Sequence, residues 1–325
     1  MFLGIEIGGT KLQLGVGAGD GPDLVAVERL NVDPARGGAG IREQILKVGR
    51  DLVARFDVER IAYGFGGPID AAAGIVTTSH QVEGWDGFPL VEWTTKELGR
   101  PTILGNDCDA AALAEARFGA GRGSRIVFFI TVGTGVGGGL VIDGALHAAY
   151  RPAVAEIGHL RPTLDPDQPQ ATVEDMASGR GIEQETRRRL ALSSASRQPP
   201  DAHHREDLLQ RCGNNPEQIS GKIVAEAAAA GNKIARDVLS RACRALGWGI
   251  AQVLAIAAPE VIVIGGGVSL IGDELFFEPL RAEVERQVFR PLAGSYRIEP
   301  AALGELVVVH GAVLRAAGGN SQTEH

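Results

Sequence analysis

Asp107 directly follows Asn106, where a short apolar strand, Thr102–Leu104, gives way to an alanine-rich helical stretch, Asp107–Phe118. A carboxylate in a first helical turn is kept ionised by the helix N-terminus. Such an Asp suits taking a proton from a sugar hydroxyl as that oxygen attacks a γ-phosphate. An ordinary helix-start Asp behind an Asn106 N-cap fits the same residues. Glu156-Ile157-Gly158-His159 is a second group. Its carboxylate and imidazole can hydrogen-bond a small polar ligand, ligate a metal or form a surface pair; the spacing does not choose among these. A third lies in Glu6-Ile7-Gly8-Gly9-Thr10-Lys11. There Glu6 can hold Mg²⁺ through water while Thr10 and Lys11 donate to phosphate oxygens. A hairpin with a charged residue on its solvent face is the plainer alternative. His203-His204 lacks a cysteine pair at metal-finger spacing and reads as solvated loop. Cys108 has no histidine near it in sequence and reads as a packing residue.

The elements that must position these groups are marked by three glycine turns, each closing an apolar run. They are Gly8-Gly9-Thr10, Gly133-Thr134-Gly135 and Gly265-Gly266-Gly267. β-Branched runs that stop at glycine predict buried strands feeding tight turns. Glycine also lets backbone N–H groups approach a phosphate closely. Phe2–Ile7 with Lys11–Val16 predicts a hairpin, and Ile126–Val132 with Leu140–Ile142 repeats it roughly 125 residues later, the trace a duplicated lobe would leave. Helical spacing runs through Ile41–Phe56, Glu174–Leu190, Ile223–Ala230 and Asn232–Ala258. Ile61–Phe65 predicts a strand ending in Gly66-Gly67-Pro68, and Ala153–Arg161 a turn region. Ala191–Asn215 reads as mostly loop with a short helix near Arg205–Arg211, Gly304–Val309 as a late strand, and Ala312–Ala317 as the start of a closing helix. Strands alternating with helices predict an α/β protein.

The bulk properties narrow the partners. A chain of 325 residues suits two lobes. Its net charge of −8 disfavours nucleic acid, which needs a basic face. Three cysteines without a CxxC pair predict no disulfide framework and a reducing cytoplasm. No signal peptide is expected, nor a membrane span, because Ala245–Ala258 is interrupted by glycines and Gln252.

The order of these motifs resembles the ROK family (repressors, open reading frames, kinases) of the actin-like ATPase superfamily, from Gly4 to about Ala317. The resemblance implies a two-lobed actin-like, RNase H-like fold with a duplicated core and an inter-lobe cleft. The N-terminal lobe would span 1–114, completed by a helix at about 311–325, and the C-terminal lobe 115–310. It implies ATP and Mg²⁺ as cofactors, a small-molecule sugar as substrate, and a homodimer. Gly8, Gly9, Thr10 and Lys11 match the first phosphate motif, Gly133, Thr134 and Gly135 the second, and Gly265, Gly266 and Gly267 the adenosine-side turn. Gly67 falls in the sugar-side turn. Asn106 and Asp107 fall in the catalytic segment, with Asp107 as general base. Glu156, His159 and Glu174 match sugar-binding positions.

Four departures stand out. Glu6 replaces the usual Asp and reaches about 1.5 Å further. Leu160–Val173 lacks the three cysteines that complete the family's zinc site, so no structural zinc is expected and His159 is left as a sugar ligand. Gln81 replaces an Asn ahead of Gly84-Trp85. Asp109 adds a second carboxylate near Asp107, which raises one pKa when like charges crowd. The implied activity is ATP-dependent phosphorylation of a glucose-like hexose or N-acetylated amino sugar. The alternatives are a sugar- or nucleotide-binding protein that has lost catalysis, a kinase using polyphosphate, and a sugar-responsive regulator. A regulator would carry a helix-turn-helix before the first phosphate motif, which here begins by residue 4.

Overall fold

The structure is a computed structural model that describes residues 1–79, 82–148, 151, 153–163, 171–194 and 201–318. Its strands are β1 (Phe2–Ile7), β2 (Lys11–Gly17), β3 (Leu24–Asn31), β4 (Arg60–Phe65), the short pair β5 (Ile69–Asp70) and β6 (Ile75–Val76), β7 (Thr102–Asn106), β8 (Ile126–Val132), β9 (Val136–Ile142), β10 (Ala145–Leu146), β11 (Val261–Gly265) and β12 (Arg297–Pro300). Its α-helices are α1 (Gly37–Phe56), α2 (Leu90–Leu98), α3 (Asp107–Phe118), α4 (Val173–Ala177), α5 (Gly179–Ser194), α6 (Ala202–Arg211), α7 (Gly221–Ala229), α8 (Lys233–Ala257), α9 (Glu278–Gln287) and α10 (Val307–Gly318).

Two five-stranded sheets organise them, in the orders β3-β2-β1-β4-β7 and β10-β9-β8-β11-β12. Each sheet sets a three-strand meander beside two further strands, so the hairpin echo in the sequence corresponds to a repeated topology. The chain forms two compact units. One comprises Met1–Phe129, Gly139–Ala155 and Ala301–His325; the other comprises Ile130–Gly138 and Glu156–Pro300. The first unit therefore continues past residue 114, and it takes the chain back ten residues before 311.

In the first unit, register decides which residues meet. β1 runs parallel to β4 with Ile7 opposite Phe65, and β4 runs parallel to β7 with Phe65 opposite Asn106. The next residues, Gly8, Gly66 and Asp107, consequently emerge at the carboxyl ends of three adjacent strands, where open α/β sheets bind ligands. Leu3, Ile5, Leu12, Leu14, Ile61 and Tyr63 are fully buried beneath that edge, and Tyr63 shares a 2.9 Å hydrogen bond with Thr94 inside it.

Val307–Val309 is helical, not the late strand its three valines suggested. After a 3₁₀ turn at Gly304–Leu306 the helix α10 begins at once. Val308, Val309, Ala312, Val313 and Ala316 are buried on it at helical spacing. Packing of that stripe against β1, β4 and α3 outweighs β-propensity. The predicted helix Glu174–Leu190 is two helices, broken at Ser178, whose backbone is extended (φ −68°, ψ 161°). The short helix in 191–215 lengthens to α6, and β3, α2, α9 and β12 lie in stretches that carried no assignment.

In the second unit, Val261, Ile262, Val263 and Ile264 of β11 are completely buried. The long helix α8 follows the predicted span closely. Asn232 caps it by accepting the Ala235 N–H at 3.1 Å, and it ends at Ala258, left-handed at φ +45°. None of the described helices is long and apolar enough to cross a membrane.

Candidate active site

Asp107 is the first residue of α3, and Asn106 caps that helix by accepting the N–H groups of Cys108 (2.8 Å) and Asp109 (3.2 Å). Asp107 Oδ1 accepts the Cys108 N–H as well, at 2.8 Å. Burial pushes the Asp107 carboxyl above the usual range, those hydrogen bonds oppose the shift, and Asp109 adds to it. Desolvation thus outweighs the helix N-terminus. Gly66 keeps the space beside the carboxylate open: a Cβ there would stand 3.0 Å from Asp107 Oδ2. Gly8, Gly9 and Gly66 line one small crevice with Ser79 and the buried Trp85. Gly67 packs next to Phe65.

Glu6 lies across the β1–β2 ladder from Gln13. Gln13 Nε2 donates to Glu6 Oε2 at 2.8 Å and to the Glu305 carbonyl at 2.9 Å. Lys11 Nζ donates to the Glu305 carboxylate at 2.9 Å. Burial raises the Glu6 carboxyl to about 7; Gln13 and Lys11 oppose that, while Asp107 and Glu305 add to it. Glu6 is therefore a half-buried acid in electrostatic reach of Asp107, not a solvent-face residue of a plain hairpin. Gln13 is only 2% exposed, and its Oε1 has no hydrogen-bond partner among the described residues.

The other glycine turns meet in the second unit. Gly133 N–H donates to the Gly135 carbonyl at 2.9 Å, and Gly179 N–H to the Gly133 carbonyl at 2.8 Å. Gly266 adopts φ +88°, and a Cβ on it would sit 2.5 Å from the Val132 carbonyl oxygen. The next turn bonds back to the same carbonyl through the Val268 N–H at 2.9 Å. Together these turns wall a pocket of about 630 Å³ that includes Gly133, Thr134, Gly179, Arg180, Lys222, Gly267 and Leu270. Leu270 is 85% exposed there. Gly265 ends β11.

Glu174 Oε2 accepts the Val136 N–H at 2.8 Å, which ties α4 to the far side of the Gly133–Gly135 turn. Glu156 begins a 3₁₀ turn at Ile157–His159 and accepts the His159 N–H on its carbonyl at 3.1 Å. Both Glu156 and His159 present exposed faces. Ala155, just before, is left-handed at φ +60°, a strained conformation of the kind that collects at functional sites. The structure thus groups Glu156, His159, Glu174 and the second and third glycine turns in one unit. Glu6, Thr10, Lys11, Gly67, Asn106 and Asp107 fall in the other.

The model of the ROK family matches residues 2–317. The chain belongs to the ROK family. A glucokinase of Thermotoga maritima is 30% identical over 314 residues, covering 96% of this chain and 95% of that protein. An N-acetylmannosamine kinase of Escherichia coli is 29% identical over 317 residues, covering 95% and 98%. The crystal structure of a ROK glucokinase from Streptomyces griseus in complex with glucose and AMPPNP superposes with a TM-score of 0.80 at 29% identity, over 98% of this chain and 99% of that one. The two-sheet α/β architecture is accordingly the actin-like ATPase fold of ROK glucokinases.

Against the ROK motifs, sequence reasoning missed Gln13 and Glu305. Both lie outside the glycine turns, and their partners are up to 294 residues away. It also missed Arg180, Lys222 and Leu270, which reach one pocket from three separate elements. The break at Ser178-Gly179, inside an otherwise helical stretch, was the available signal. No cluster of three or more His, Cys, Asp or Glu suited to a metal occurs among the described residues. Gln81 and residues 164–170 of the cysteine-free stretch lie outside the described residues.

Proposed function

We propose that this ROK sugar kinase transfers the γ-phosphoryl group of ATP to a hydroxyl of glucose, a related hexose or an N-acetylated amino sugar, with Asp107 as general base. The observation that carries the reading is the alignment of Gly8, Gly66 and Asp107 at three neighbouring strand ends, with Asp107 capped by Asn106. A raised carboxyl pKa makes Asp107 a stronger proton acceptor than an ordinary carboxylate.

The second unit's pocket suits a nucleoside. Its volume matches a ligand site, the backbone of two glycine turns lines it, and Leu270 and Ile271 offer apolar surface to a base. That apolar wall favours ATP over polyphosphate as donor. Glu6 fits a hydrated magnesium ion: the buried, unpartnered Gln13 Oε1 beside its carboxylate offers an acceptor for a cation-bound water. When bound, Mg²⁺ supplies charge neutralisation on the phosphates. Lys11 and Thr10 donate to phosphate oxygens, and Glu156, His159 and Glu174 hydrogen-bond the sugar hydroxyls. With three free, buried cysteines the protein suits the cytoplasm, where it acts as a homodimer.

ADP release measured with Mg·ATP across hexoses and amino sugars tests the reading. Sugar-dependent release with at least one of them is expected. Tight sugar binding without release from either ATP or polyphosphate would favour the binding-protein alternative instead.

A further inference from the structure

Glu115 is completely buried in the last turns of α3, eight residues beyond the proposed base on the same helix. No Lys or Arg pairs with it among the described residues. Its charge is held by main-chain donors: Oε2 accepts the Ala120 N–H at 2.8 Å, and Oε1 accepts the N–H groups of Ala302 and Leu303, both at 2.9 Å. A buried carboxylate without a cation is costly unless such charge-assisted bonds satisfy it. The donors come from two places. Ala120 follows α3 directly, whereas Ala302 and Leu303 come just after the chain re-enters the first unit at Ala301. Two residues further on, Glu305 takes Lys11 on its carboxylate and Gln13 on its carbonyl, and Gln13 in turn holds Glu6.

We propose that Glu115 is a positioning residue for the phosphate-side groups of the first unit: its carboxylate sets the Ala302–Glu305 segment, and that segment places Lys11 and Gln13. The inference rests on the reading of Glu6 and Lys11 as phosphate-side groups. The Lys11–Glu305 pair is exposed and adds little stability by itself. Its use is to fix where the lysine stands. A glutamine at 115 keeps one oxygen acceptor and turns an amide N–H₂ toward the remaining backbone donors, so one side of the tether must open.

Glu115→Gln, Glu115→Asp and Glu305→Gln test this by steady-state kinetics and by backbone amide exchange in peptides covering 301–306 and 8–14. Glu115→Gln should raise the KM for ATP about 10- to 100-fold. The sugar KM should stay within about threefold. Exchange should accelerate in both peptides. Glu115→Asp, which keeps the charge, should recover part of the ATP KM. Glu305→Gln should reproduce the ATP-selective loss, and the double variant should lose less than the two singles combined. Equal shifts in both KM values, or faster exchange at 301–306 with 8–14 unchanged, would overturn the inference. Should Glu115→Gln fail to fold, Glu115→Asp and Glu305→Gln give the same two readouts. If the wild-type protein released no ADP with any sugar, the kinase reading would fail, and the exchange of residues 8–14 would still decide this one.

Discussion

The first and second glycine turns look alike in sequence and differ physically. Gly8-Gly9-Thr10 is surrounded by titratable side chains: Glu6 raised to about 7 by burial, Lys11 paired with Glu305, and Asp107 at a neighbouring strand end. Gly133-Thr134-Gly135 is held mainly by backbone, through its own 2.9 Å bond and the Gly179 N–H, and it lies next to the Gly266 turn. The two hairpins hold matching places in their sheets. Their surroundings differ: ionisable side chains crowd the first turn, whereas backbone hydrogen bonds hold the second, with the Glu174 carboxylate on the neighbouring Val136 N–H.

The largest expected effect breaks the chemical side. Asp107→Asn keeps the helix start and should lower kcat about 10²- to 10⁴-fold. Sugar and nucleotide dissociation constants, read by calorimetry, should change little. Next comes the grip. Gly266→Ala forces a Cβ against Val132 at a backbone angle that favours glycine. It should cost about 1–3 kcal/mol of stability, visible as a lower Tm, and should weaken ATP binding more than sugar binding.

A third test uses pH. The folded Glu6 carboxyl titrates near 7 against an ordinary value of 4.5, and Asp107 is shifted the same way. The folded state thus binds protons more tightly than the unfolded chain. The Glu6 contribution to the stability of the ligand-free protein is fully present below about pH 4.5 and is lost as pH rises through about 7, an amount on the order of 1–3 kcal/mol. Thermal melts should show this decline, and Glu6→Gln should flatten it; an unchanged slope would mean that Glu6 is more solvated than its surroundings imply. The smallest effect is Leu270→Ala, which removes apolar surface from the proposed nucleotide pocket. It should raise the KM for ATP roughly fivefold, a loss of about 1 kcal/mol, without changing kcat.

Local features were legible in the sequence. The Asn106 cap, the two hairpins, the buried β11 and the whole of α8 depend on neighbours in the chain, and each stands where periodicity and capping residues placed it. Features set by register or long-range packing were not. Nothing local says that Ile7, Phe65 and Asn106 line up across three strands, because parallel register comes from the whole sheet. Val307–Val309 reads as strand by propensity and is helix because α10 must bury that face. Gln13 carries no motif; its importance comes from Glu6 opposite and Glu305 at the other end of the chain.

Turnover and nucleotide affinity, measured together on Asp107→Asn and Gly266→Ala, test the division between chemistry and grip most directly. A crossed pattern is expected. Asp107→Asn should bind ATP normally and turn over almost nothing, while Gly266→Ala should bind ATP weakly yet approach wild-type kcat at saturation. Normal turnover by Asp107→Asn, or collapse of kcat at saturating ATP in a folded Gly266→Ala protein, would contradict it.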